Sequence, residues 1–157
     1  MKTAYAVKEK DFPEWTVLSL KTKDSLRAMG KHIGGLYGQA KLRGLRPDGP
    51  LFTVYFEKPE GEAPVEYELC LPVEGPTAEL DKLTDIGGDP CLCLRVRGSY
   101  AQFGAAYKAM GDFVTAGGYR LSGPPREVYV RGPLFGFMTF LPTMVTDIYF
   151  PILDRKA

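Results

Sequence analysis

The chain has 157 residues, of which 45% are hydrophobic and 25% charged, and a formal net charge of +1, which is the composition of one globular domain with a sizeable core. Lys and Arg are scattered, so the clustered basic surface that a phosphate backbone requires is missing and nucleic acid is not an expected partner. No apolar run approaches the roughly 18 residues of a membrane helix, and residues 1–10 carry no apolar signal core, so a cytoplasmic protein without a membrane partner is expected.

In chain order, Trp15-Thr16-Val17-Leu18-Ser19-Leu20-Lys21 alternates and reads as a strand. Asp24 is placed to cap a helix over about 25–42, where Leu26, Met29, Ile33, Leu36, Tyr37 and Ala40 recur at helical spacing. Gly30, Gly34, Gly35 and Gly38 weaken that helix by up to about 1 kcal/mol each, which suggests close packing against a neighbour. Gly44 ends it, Lys41, Arg43 and Arg46 form its solvated end, and Arg46-Pro47-Asp48-Gly49-Pro50 is a turn. Strands follow at 52–56 and 65–73, separated by a polar loop. After a connector over 74–90 the pattern restarts. A strand at 91–97 leads to a helix from Ser99 to about Ala116 with the stripe Phe103, Tyr107, Met110 and Val114, and then to strands at 127–130 and 146–152.

One shift relates the halves. It carries Gly44 onto Gly118 and also pairs Gly30 with Gly104, Arg46 with Arg120, Pro50 with Pro124 and Tyr55 with Tyr129. Glu68 then pairs with Asp147 across a longer loop. Such coherence predicts an internal duplication in a single domain, with module one at about 1–73, the connector at 74–90 and module two at about 91–157.

An acid inside an apolar strand is costly without partners, and two strands carry one. In Tyr67-Glu68-Leu69-Cys70-Leu71-Pro72-Val73, Glu68 and Cys70 share a face, and in Thr146-Asp147-Ile148-Tyr149-Phe150-Pro151-Ile152, Asp147 and Tyr149 do. Tyr55 and Tyr129 oppose Val54 and Val128, which assigns them to the same acid-bearing face, on the side of the sheet without helices. That face reads either as a solvated sheet surface or as a pocket wall. The apolar loop 132–145, with Phe137 and Phe140, is placed to cover it, and otherwise reads as a loop packed on the core or a dimer contact. Cys70, Cys91 and Cys93 have neither a disulfide framework nor zinc spacing, and no metal or other cofactor is expected. His32 stands alone on a helix and reads as a surface or core residue.

With the duplication and these strands in place, the chain resembles the GyrI-like small-molecule-binding family, the effector-binding domain of AraC- and MerR-type multidrug regulators. The resemblance is carried by Val17-Leu18-Ser19-Leu20, Gly123-Pro124-Pro125-Arg126-Glu127-Val128-Tyr129-Val130 and the two acid-bearing strands. It implies an α+β fold in which duplicated strand-helix-strand-strand modules form one curved antiparallel sheet of about six to eight strands, with two helices on the convex face. It also implies an aromatic pocket with an acidic residue at its base, taking hydrophobic, aromatic, often cationic small molecules. Glu68 and Asp147 are the acid positions, although the family often has Glu where Asp147 stands. The expected ligand-binding set is Glu68, Asp147, Tyr55, Tyr129, Tyr149, Cys70, Phe137 and Phe140. No helix-turn-helix segment is expected before the domain. Three functions remain open: a stand-alone binding protein, a hydrolase of cyclopropanoid-type electrophiles using Glu68 or Asp147, and a protein-interaction module of the gyrase-inhibitor type.

Overall fold

The computed structural model describes residues 5–131 and 144–154. Among them, β1 (Val7–Asp11) and β2 (Trp15–Asp24) precede α1 (Met29–Leu42), which begins with a 3-10 turn at Leu26–Ala28. Then come β3 (Arg46–Pro47), β4 (Phe52–Tyr55), β5 (Val65–Glu74), α2 (Thr77–Leu80) and β6 (Thr84–Ile86). The chain continues through β7 (Pro90–Arg97), a 3-10 turn at Tyr100–Gln102, α3 (Phe103–Gly117), β8 (Arg126–Arg131) and β9 (Val145–Pro151). The strands form a curled antiparallel sheet in the order β1-β7-β9-β8-β4-β5-β2-β6, with β3 attached to β5. No helix among the described residues is long and apolar enough to cross a membrane.

The predicted helices form where the apolar spacing put them. Gly44 and Gly118 follow their ends at φ +68° and +66°, a left-handed conformation that glycine adopts without a Cβ penalty. The predicted Asp24 cap does not form, and Ser99 at the start of the second helix makes no side-chain cap either. The Asp24 carboxylate accepts the Ser25 N–H at 2.7 Å and lies 2.8 Å from His32 Nε2, so this acid ties β2 to α1 instead. The close packing expected of the α1 glycines is also not found, since a Cβ on Gly34, Gly35 or Gly38 would meet nothing within 4 Å. The helix is held by its other face, where Leu36 and Ala40 are buried against Leu18, Leu69 and Leu71. Strand β1 escaped the sequence reading because Val7-Lys8-Glu9-Lys10-Asp11 is a polar, exposed edge. The connector also contributes structure, as β6 pairs with β2.

Among the described residues three apolar clusters hold the domain. One joins α1 to β2 and β5, and another joins Ala106 and Met110 of α3 to Leu92, Leu94 and Ile148. The third lies on the opposite face of the sheet, where Phe12 packs edge-on against Trp15, Phe52 and Tyr149 over Val54, Cys70, Cys93 and Val128. Each fully buried large side chain contributes about 1.5–3 kcal/mol. The helices therefore cover the two flanks of the sheet, and the central pair β4 and β8 lies between them.

Candidate functional site

A cleft of about 1780 Å³ opens between α1 and α3 above β4 and β8. One wall comes from Leu26, Met29, Ile33 and Tyr37, the other from Tyr100, Phe103 and Tyr107, and Tyr55, Glu127, Tyr129 and Phe150 line it as well. Antiparallel pairing of Thr53 with Glu127 places these two residues side by side, and strand alternation turns Tyr55 and Tyr129 to the same face.

Glu127 is the chemical centre. It is 7% exposed, and burial pushes its pKa up to about 7, against the pull of hydrogen bonds from Tyr107, Tyr129 and Tyr55. The Tyr107 hydroxyl donates to Glu127 Oε2 at 2.5 Å. The Tyr129 hydroxyl lies 2.9 Å from Thr53 Oγ1 and 3.4 Å from Glu127 Oε1, so a Thr53 hydroxyl donating to Tyr129 leaves the phenol proton for the carboxylate. Burial, then the neighbouring Glu127 charge, raises the pKa values of Tyr55, Tyr100 and Tyr107, so they stay neutral donors. A carboxyl poised near neutrality inside an aromatic cage can act as counter-ion to a desolvated cation or exchange a proton with a bound molecule.

Of the residues expected from sequence, Tyr55 and Tyr129 line this cleft. Glu68, Cys70, Asp147 and Tyr149 are not among its lining residues and sit on the other face. The expectation that the tyrosines share the acid-bearing face is corrected by register. Val54 pairs with Glu68 and Val128 with Asp147, so the valines lie with the acids while Tyr55 pairs with Tyr67 on the helix side. The cleft accordingly lies on the helix side of the sheet, not the helix-free side. Asp147 is 4% exposed and held by Arg95, which donates from Nε at 2.7 Å and from Nη2 at 2.9 Å. Glu68 is half-buried beside Cys70, whose thiol is pushed up to about 12 by burial and by the Glu68 charge. Phe137 and Phe140 lie outside the described residues. Among the described residues no group of three His, Cys, Asp or Glu side chains could hold a metal ion.

The sequence reading missed Glu127, Tyr100 and the cleft-facing role of Phe103 and Tyr107. A signal for Glu127 was present, because it stands two residues before Tyr129 in one strand and must share its face.

This fold recurs in solved structures. The C-terminal domain of EcmrR superposes with a TM-score of 0.76 at 22% identity, covering 98% of this chain and all of that one. In the EcmrR–DNA complex the TM-score is 0.73 at 22% identity, and the match covers 94% of this chain but only 57% of that one. A hydrolase encoded by lin2189 from Listeria innocua gives a TM-score of 0.66 at 14% identity over 93% of this chain and 91% of that one. SAV2435 bound to tetraphenylphosphonium gives 0.52 at 14% identity over 96% and 94%. Comparison with curated proteins finds no sequence match. With a two-helix cleft floored by a buried glutamate on a curled antiparallel sheet, and with the GyrI-like small molecule binding domain matching residues 5–153, the chain belongs to that family.

Proposed function

We propose that the protein binds hydrophobic, aromatic, cationic small molecules in the cleft between α1 and α3, with Glu127 as the counter-ion. The observation that carries this reading is the Glu127 carboxyl, buried among tyrosines on the cleft floor. A delocalised cation gives up little hydration on entry, gains ring-face attraction, and compensates a carboxylate that otherwise prefers to hold its proton. Tetraphenylphosphonium, the molecule on the structural neighbour SAV2435, has this chemistry. The offset of 74 residues between the starts of α1 and α3 supports reading the two walls as modules of one domain, 1–73 and 91–157.

The test is fluorescence titration with a rhodamine dye on the wild type, Glu127→Gln, Glu68→Gln and Asp147→Asn. Saturable binding that weakens at least about tenfold in Glu127→Gln alone is expected, the scale of one desolvated charge pair. Unchanged affinity in Glu127→Gln would remove this reading.

A second reading, hydrolysis of a cyclopropanoid-type electrophile, is favoured by one observation. Glu127 combines a pKa of about 7 with a neutral Tyr107 hydroxyl at 2.5 Å, which suits proton transfer near neutral pH. Product formation from such a compound, abolished in Glu127→Gln with binding retained, would distinguish it from simple binding.

A further inference from the structure

The two walls of the cleft correspond position by position and differ in chemistry. The 3-10 turns begin at Leu26 and Tyr100, and α1 and α3 begin at Met29 and Phe103, each pair 74 residues apart. The same shift sets Ile33 against Tyr107 and, on the floor, Thr53 against Glu127. All six of these helix-side residues line the cleft. At these three matched places the α1 wall is aliphatic and the α3 wall aromatic, and the buried carboxyl, Glu127, stands on the aromatic side, hydrogen-bonded by Tyr107, while the other lining carboxyl, Glu57, is exposed. Met29 and Ile33 pack onto the core beneath α1, and Phe103 and Tyr107 onto the core beneath α3, so both walls are fixed before a ligand arrives. Tyr37, the aromatic that α1 does contribute, is the lining residue furthest along that helix and is 37% exposed.

Flat π-systems gain from ring faces and from the carboxylate, whereas a saturated ring gains from close contact with branched and flexible aliphatic side chains that have no preferred stacking plane. We infer that the cleft selects two-lobed ligands, with a flat cationic aromatic lobe on the Tyr100–Phe103–Tyr107 wall and a saturated carbocyclic or branched-alkyl lobe on the Leu26–Met29–Ile33 wall. This inference rests on the cation-binding reading and adds the class of the second lobe.

Three probes share one cation: N-methylquinolinium, N-(cyclohexylmethyl)quinolinium and N-benzylquinolinium. Calorimetric titration of the wild type should rank the cyclohexylmethyl compound at least about tenfold tighter than the methyl compound, because the added ring buries its apolar surface. It should also bind about threefold or more tighter than the benzyl compound, whose ring is of similar size but flat. Ile33→Tyr should reverse the order of cyclohexylmethyl and benzyl. Met29→Ala/Ile33→Ala should reduce the cyclohexylmethyl advantage over methyl to about threefold or less while leaving the methyl compound within about twofold, which also shows that the variant is folded. Equal affinity of wild type for the cyclohexylmethyl and benzyl probes, or an order that Ile33→Tyr leaves unchanged, would overturn the inference. Glu127→Gln separates the two levels: if it alters no probe's affinity while the wall preferences persist, the cation reading fails, and with it the cationic part of this inference, while the selection of a flat lobe by one wall and a saturated lobe by the other stands.

Discussion

Thr53 and Glu127 face each other across the β4–β8 pair, and the Tyr129 hydroxyl lies 2.9 Å from the threonine Oγ1 and 3.4 Å from the glutamate Oε1. At two matched places in the sheet the chain puts a hydroxyl on one side and a carboxyl on the other. The β4–β8 floor thereby holds one buried acid where a symmetric floor would hold two, and two carboxylates so close would raise each other's pKa.

Glu127 should make stability fall as pH rises. Its folded pKa of about 7 lies above the ordinary value of 4.5, so the folded state keeps a proton that the unfolded chain has lost. The stability is full below about pH 4.5, declines toward pH 7 and stays reduced above it, by up to about 3 kcal/mol. Glu127→Gln should flatten this slope and gain about 1–3 kcal/mol at pH 8. Urea unfolding at pH 5 and pH 8 measures it, and an equal change at both pH values contradicts it.

Cation affinity should run the other way. Binding favours ionised Glu127, so affinity should rise through about pH 7 and release a proton, visible in calorimetry as an enthalpy that depends on the buffer. In Tyr107→Phe the carboxylate loses its 2.5 Å donor, and the midpoint of the affinity profile should move to higher pH. A midpoint that stays or falls would show that Tyr107 does not stabilise the charged form.

Gly104 lines the cleft, and a Cβ there would meet nothing within 4 Å. Gly104→Leu should add helix propensity of up to about 1 kcal/mol while filling cleft space. Thermal unfolding should show an unchanged or higher Tm and dye titration a weaker affinity. A lower Tm would mean that the site is less open than its geometry states.

On the other face, Asp147→Asn should leave dye affinity unchanged and destabilise the fold by about 1–2 kcal/mol, since it breaks the paired bonds to Arg95, which is itself 43% exposed. Glu68→Gln should change neither by much. Parallel chemical denaturation and titration separate these outcomes.

Periodicity alone revealed α1 and α3, most of the strands and the glycine that ends each helix. The apolar spacing of Leu36 and Ala40, or of Ala106 and Met110, is a local pattern that one burial direction explains. Strand alternation correctly separated Tyr55 from Val54 and Glu68 from Tyr67. It also contained Glu127, on the same face as Tyr129. Alternation cannot say how the face of one strand aligns with the face of the next, because that depends on register, and a one-residue slip exchanges the faces. The pairing of Val54 with Glu68 decided that the acids and the valines share the Phe12 side, leaving the tyrosines beneath the helices. The stripe Phe103 and Tyr107 looks the same in sequence whether it meets a core or a cleft. Only the separation of α1 from α3 across β4 and β8, fixed by the sheet order, opened that space and buried Glu127 at its floor.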